Sequence, residues 1–296
     1  MHLKALISLP LAILASACIS KVELVQRPIV FEPVIGSEVR SSSDIDMSVP
    51  FPEDKTFGVW ALDNHLEEFI SDREIGFNGV SWTSESLPLW PINSSLTFYA
   101  YSPCSLPVKL SKGVMTLDGF DVTRDGDDVL FAQTASGLTS VEGEVKLPFS
   151  HALSRMDMRI ASGFGADVKV RIDRIVLRNV ATVGNYDSSK YQKWTVDEST
   201  ATDIVFYDSE RDGQFLAGPE MQFIGGLHTI IPQKLGSVIE LQYAFQVDGS
   251  DWIDAQKDVT EEIKITWEPG RYYTYSLTIN ERKLAYTTGI GHWSER

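Results

Sequence analysis

Period-two alternation constrains this chain more than any other feature of its sequence. From Phe51 onward apolar and polar residues trade places every second position, and no run of a dozen residues keeps a helical repeat. Successive strand side chains point to opposite faces, so such alternation is the mark of half-buried strands. The sharpest cases are 155–160, 168–177, 238–247 (VIELQYAFQV), 263–267 and 272–279. In 168–177, Val168, Val170 and Ile172 share one face and Lys169, Arg171 and Asp173 the other; the register shifts at Arg174, predicting a bulge near Asp173. Runs at 57–62, 96–101 and 129–132 also read as strands, 142–147 as one that Pro148 interrupts, and 225–232 as one ending in Pro232. Asn78-Gly79 between apolar flanks is a hairpin signal. Lys112-Gly113-Val114 and Leu117-Asp118-Gly119-Phe120 read as further hairpin pieces, and Glu268-Pro269-Gly270-Arg271 as a Pro-Gly turn. Residues 67–70 fit one helical turn or a loop, 121–128 a loop, and 183–194 a polar loop punctuated by aromatic residues. Short strands with frequent turns predict an all-β sandwich or barrel.

At 296 residues the chain is long for one sandwich and comfortable for two. The motif Pro148-Phe149-Ser150-His151-Ala152-Leu153-Ser154-Arg155 stands at its middle, and the division is placed there. This gives an N-terminal β-sandwich domain over 18–147 and a C-terminal one over 148–296. With 41 acidic against 26 basic residues the net charge is −15. Nucleic-acid binders carry a basic stripe, so that class of partner is argued against. Spread acidity suits an exposed protein whose copies repel one another unless a specific interface prevails.

Residues 1–17 have the parts of a secretory signal peptide: Lys4, an apolar run over 5–14, and the small residues Ala15-Ser16-Ala17. The run falls short of the ~20 residues that span a membrane, and Pro10 interrupts it. Cys18 follows where a lipoprotein signal places its acylated cysteine, although Ala15 stands where leucine is usual and Ala-Ser-Ala also suits ordinary signal peptidase. Two or more acyl chains anchor a protein stably, so a lipidated Cys18 replaces any transmembrane helix. Cys104 then has no partner in the chain; it reads as a nearly buried turn residue, not part of a disulfide framework. After the signal, 22–34 is extended and β-branched and reads as a first strand. Arg40, followed by Ser41, Ser42 and Ser43, offers a protease a place to separate that strand from the chain behind it.

Residues for active-site chemistry are scattered. His2, His65, His151, His228 and His292 lack second ligands at metal spacing. His151 lies beside Ser150 and Ser154, but neither serine sits in a G-x-S-x-G elbow. Asp121, Asp125, Asp127 and Asp128 surround Gly126 without the closing glutamate of a calcium loop, and read as a turn. Gly225-Gly226 lacks the Lys-Ser/Thr of a phosphate loop. No carboxylate pair is singled out for glycoside hydrolysis. Trp194 and Trp252 are candidate sugar-stacking platforms on loops. The reading is therefore not an enzyme, with no cofactor and no metal.

Five stretches follow one another along the chain: Trp90-Pro91 with Phe98-Tyr99-Ala100-Tyr101-x-Pro103; Asp128-Val129-Leu130-Phe131-Ala132; residues 147–155; Trp267-x-Pro269-Gly270-x-Tyr272-x-Thr274-Tyr275; and Ile290-x-x-Trp293. Together they resemble the fimbrillin family, the Mfa-like subunits of type V pili of Gram-negative anaerobes. The resemblance implies two tandem transthyretin-like β-sandwich domains, and export as a lipoprotein to the outer membrane and cell surface. It also implies polymerisation with other pilus subunits by strand exchange, serving cell adhesion. In such subunits an arginine-specific protease removes an N-terminal strand, and a neighbour's strand fills the groove. On this sequence the removable strand contains Ile29 and Phe31 on one face and Val30 on the other. Arg40 matches the cleavage position; Arg27 is the alternative, disfavoured by Pro28 after it. The terminal segment with Leu284, Tyr286, Ile290 and Trp293 is the candidate donor, or else the last strand of its own sheet. Stalk, tip and accessory roles stay open. The rival reading is a monomeric surface-anchored lipoprotein that binds glycan or host protein.

Overall fold

A computed structural model describes residues 27–36, 48–126, 128–141, 143–280 and 284–293. The protein is built almost wholly of strands, as expected. The chain lays down β1 (Phe31–Ile35), β2 (Val49–Pro50), β3 (Phe57–Asp63), β4 (Glu68–Phe77), β5 (Trp82–Thr83) and β6 (Leu96–Ser102). A hairpin of β7 (Lys109–Ser111) and β8 (Val114–Asp121) follows, then β9 (Leu130–Gln133) and β10 (Val145–His151). All of these but β7 and β8 form an eight-stranded sheet in the order β10-β9-β6-β3-β4-β5-β1-β2, and β1 also pairs with β10, closing the sheet into a ring.

The chain continues through β11 (Ser154–Ser162), β12 (Val168–Ala181), β13 (Val183–Asp187), β14 (Trp194–Val196) and β15 (Ala201–Asp208). A single helical turn, α1 (Ser209–Asp212), leads to β16 (Phe215–Ala217) and β17 (Gln222–Ile230). The last strands are β18 (Val238–Val247), β19 (Ile253–Val259), β20 (Arg271–Ile279) and β21 (Leu284–His292). One sheet runs β17-β11-β20-β21 and faces another running β15-β12-β18-β19, with β16 also on β12. Met156, Met158, Ile172, Leu177, Leu241, Tyr275 and Leu277 share the core between them. A fourth sheet, β14-β13-β8-β7, mixes strands from both halves of the chain. The expected division at residue 148 thus falls inside β10, while β13 from beyond it, with β14 on its other side, pairs across to β8.

That mixed sheet explains why β3 and β6 look continuously apolar. Phe57, Val59 and Ala61 of β3 and Phe98 and Ala100 of β6 enter the core inside the ring. Trp60, Leu62, Tyr99 and Tyr101 point the other way, into a second core under Met115, Leu117, Tyr186 and Trp194. A strand buried on both faces has no polar side to alternate.

Several sequence expectations need correction. Residues 68–70 open β4 and are neither helical turn nor loop. Residues 183–194 build β13 and its partner β14 where a polar loop was expected. Leu117-Asp118-Gly119-Phe120 lies in the second arm of the β7–β8 hairpin and adds a bulge there: Phe120 pairs with Gly184 and Leu117 with Tyr186, so two residues oppose Asn185 alone. Its side chain accepts from the Gly119 amide at 2.7 Å. Residues 263–267 form no strand, although Ile263 and Trp267 are buried. Pro148 does not interrupt β10. Val145 donates to Val30 and Phe149 accepts from Gly36, so β10 bonds β1 through odd positions and the nitrogen of Pro148 faces away from that ladder. The turn at Asn78-Gly79 is as expected: Phe77 pairs with Trp82, Asn78 Oδ1 accepts from the Val80 and Ser81 amides, and Gly79 has φ +90°. The bulge near Asp173 is present too, between Ile172 and Arg174.

Candidate functional site

The first strand lies in a slot built by residues far from it in sequence. The Trp90 amide donates to the Arg27 carbonyl at 2.9 Å, and Pro28 bridges Leu89. From Phe31↔Val145 to Ile35↔Phe149, β1 then runs parallel to β10. Its other side meets Trp82 of β5 and Val49 and Pro50 of β2. Alternation sorts its side chains: Ile29, Phe31, Pro33 and Ile35 are buried, Val30 and Val34 half-buried, and Glu32 exposed. Phe31 is only 2% exposed and sets its ring edge-on to Phe57 at 5.9 Å and Phe98 at 5.6 Å. Phe51, Phe57 and Phe149 continue the aromatic wall. At ~1.5–3 kcal/mol for each large apolar side chain, seating β1 contributes on the order of 6–10 kcal/mol before the cost of ordering it. Without β1, the ring would open along β10 and expose that wall.

At the other end of the chain, β21 is an edge strand antiparallel to β20, in register from Ile279↔Leu284 to Arg271↔His292. Leu284 is buried. Tyr286 is half-buried, lies 6.1 Å from the ring of Tyr275, and donates its hydroxyl to the Glu262 carbonyl at 3.3 Å. Ile290 is 58% exposed. Trp293 is 4% exposed, its indole stacked on the His151 ring at 4.0 Å and 5° with the Arg155 guanidinium over it at 4.4 Å. His151 Nδ1 lies 2.8 Å from Asp128 Oδ1. The Trp293 amide donates to the Gly270 carbonyl, and the Gly270 amide to the Leu153 carbonyl, both at 2.9 Å. Four of the five stretches read separately in the sequence thus meet at one place, a convergence that no local pattern announces.

Of the other residues singled out, Cys18 and Arg40 lie outside the described residues, while Arg27 is exposed. Cys104 is a half-buried free thiol whose Sγ accepts from Thr56 Oγ1 at 3.3 Å, and burial pushes its pKa up, away from a nucleophile. Ser154 donates to the Glu268 carbonyl, and the imidazole of His151 is committed to Asp128 and Trp293. Asp121 and Asp125 cap their own loop, with Asp125 held below the carboxylate range by Arg124. Among the described residues no acidic, His or Cys cluster has metal-binding geometry. Gly225 lies in a bulge of β17, where its φ of +74° brings the backbone against Phe206 of β15. Trp194 is not a loop platform: it is buried, donating to the Ala152 carbonyl at 2.6 Å and packed on Phe120 and Tyr186. Trp252 is half-buried with the Arg171 guanidinium 5.0 Å over its ring.

The scaffold is thus all-β, with β1 seated along β10 and β21 on an open sheet edge. The comparisons give the family. The profile of fimbrillin-like proteins matches residues 46–293, and the chain belongs to that family. No curated protein is similar to the chain in sequence. Among solved structures, a fimbrial protein from Bacteroides vulgatus superposes with a TM-score of 0.65 at 15% identity, over 90% of this chain and 99% of the other. A candidate cell adhesion protein from Bacteroides uniformis gives 0.58 at 19% identity, over 90% and 99%. Another from Bacteroides ovatus gives 0.55 at 16%, over 92% and 99%. At these identities the structures speak for the fold.

Proposed function

We propose that the chain is a fimbrial subunit that serves cell adhesion, assembled with other pilus subunits at the cell surface by exchange of β1 for a strand of a neighbour. In this reading Cys18 carries the lipid that takes the protein to the outer membrane, and an arginine-specific protease cuts after Arg40. The observation that carries it is the seat of β1: a short strand, apolar on its inner face, spanning a slot whose walls come from β3, β6 and β10. Arg40 is better placed than Arg27. A cut after Arg27 leaves Ile29, Phe31 and Ile35 attached to the chain, whereas a cut after Arg40 frees them. The edge position of β21 suits a donor, since its outer backbone groups already await a partner.

Treating the purified 18–296 chain with trypsin in limiting amounts tests the proposal. Release of a fragment ending at Arg40, followed by ladders that survive mild heating in SDS, is the expected result. A chain that loses the fragment and stays monomeric would count against strand exchange and favour a monomeric adhesin.

A further inference from the structure

β10 serves two sites at once. Among the described residues, its positions 145–149 pair with β1, and only Ser150 and His151 pair with β9. The first part therefore depends on β1 for its ladder. Phe149 also packs on Phe51 at 5.0 Å and Phe57 at 5.3 Å, the rings that wall the seat of β1. Two residues further on, His151 is the floor on which Trp293 stacks. Beyond its ladder to β20 and the contact of His292 with Arg271, the far half of β21 has few anchored side chains: Thr287, Gly289, Ile290, Gly291 and His292 are exposed, and Trp293 is buried.

We propose that β10 couples the two ends of the chain: with β1 in its slot the terminal strand stays clasped at Trp293, and emptying the slot loosens the clasp. The inference rests on the strand-exchange reading, because it gives β1 leave to go. Its physical content is that a strand stripped of its ladder over 145–149 loses five of its paired positions and keeps the pairs at 150 and 151, the Asp128 contact and the Ala152–Val129 hydrogen bond to hold His151 in place. Segments with few buried contacts open first, and β21 beyond Tyr286 is such a segment up to Trp293. A subunit that still holds β1 then keeps its terminal strand docked on β20, and one that has lost β1 offers a free strand together with an empty slot. Coupling of this kind is reciprocal, so loosening Trp293 must also loosen β1.

Amide hydrogen exchange on the intact chain tests the coupling, with β18 as internal reference. Phe31→Ser, which weakens the seat of β1, is expected to speed exchange over 287–293 about tenfold or more while β18 changes by less than about twofold. Trp293→Leu is expected to speed exchange in β1 by a similar factor, as reciprocity demands. The proposal is overturned if exchange rises in the mutated element and the other end stays at its wild-type rate. Should Phe31→Ser fail to fold, Phe31→Leu carries the same comparison with a smaller perturbation. Failure of strand exchange itself would show elsewhere, as processed subunits that do not polymerise, whatever the exchange rates.

Discussion

Phe31 concentrates the energetics of the slot. It is surrounded by Phe57 and Phe98 and almost wholly withdrawn from water. Phe31→Ala removes that ring from a close-packed aromatic site and is expected to cost roughly 3–5 kcal/mol, read from urea unfolding of the intact chain. A loss under about 1 kcal/mol would mean that the slot closes around the gap and that β1 is not its keystone. A second residue carries charge where Phe31 carries apolar surface. Glu240 on β18 is 3% exposed and accepts from Arg178 Nε at 2.7 Å, Lys257 Nζ at 2.8 Å and Gln242 Nε2 at 3.2 Å, while Arg178 also pairs with Asp203. The Arg178 hydrogen bond leads the causes that hold its carboxyl down to about 2, against an ordinary 4.5. Because the folded-state value is the lower one, this stabilisation is complete above 4.5 and is lost as pH falls toward 2. Glu240→Gln is expected to cost roughly 1–3 kcal/mol at neutral pH and to flatten the fall in stability between pH 4.5 and 2, measured by unfolding across that range. A variant with the same acid limb as the parent would place the titration elsewhere.

At the scale of elements, β17 carries, in its pairing with β11, a bulge in which three residues, Gly225 to Leu227, oppose Asp157 alone, and there it presses against β15 of the facing sheet. A Cβ at Gly225 would stand 2.2 Å from the Phe206 carbonyl oxygen, at a φ that disfavours any side chain. Gly225→Ala is therefore expected to destabilise by more than about 1 kcal/mol and lower the melting temperature, and an unchanged melt would show the two sheets free to separate there. What the sequence made legible divides along physical lines. Alternation gave β12, β18 and β20 because one face of each is buried between two sheets and the other carries mostly polar, half-buried side chains. It misled at 263–267, because alternation reports burial, not pairing: Ile263 and Trp267 bury their side chains from an extended loop whose amides bond Ser237 and Gln233. The strand β13, and β14 that pairs on it, escape the sequence because the partner of β13, β8, lies some sixty residues earlier, and nothing local in VGNYDSSKYQKW encodes it. The alternating faces of Ile29, Val30 and Phe31 were readable in advance; the parallel pairing with β10, more than a hundred residues away, was not. The clasp of Trp293 between His151 and Arg155 needed the fold before it could be seen at all.

For the whole molecule, the arrangement reconciles two facts that pull against each other. A chain of net charge −15 repels its own copies, so association must come from a contact worth more than that repulsion. The proposed strand exchange would meet the requirement: an incoming segment would gain both a ladder along β10 and the burial now enjoyed by Ile29, Phe31, Pro33 and Ile35. The fimbrillin-like family match begins at residue 46, just after the segment that would be cut away. The most direct test is the N-terminal sequence of subunits recovered from fibres on the cell surface. The account predicts a start at Ser41, with the segment through Arg40 gone. A start at Cys18 or Pro28 would mean that fibres form with β1 still in its seat, and would contradict it.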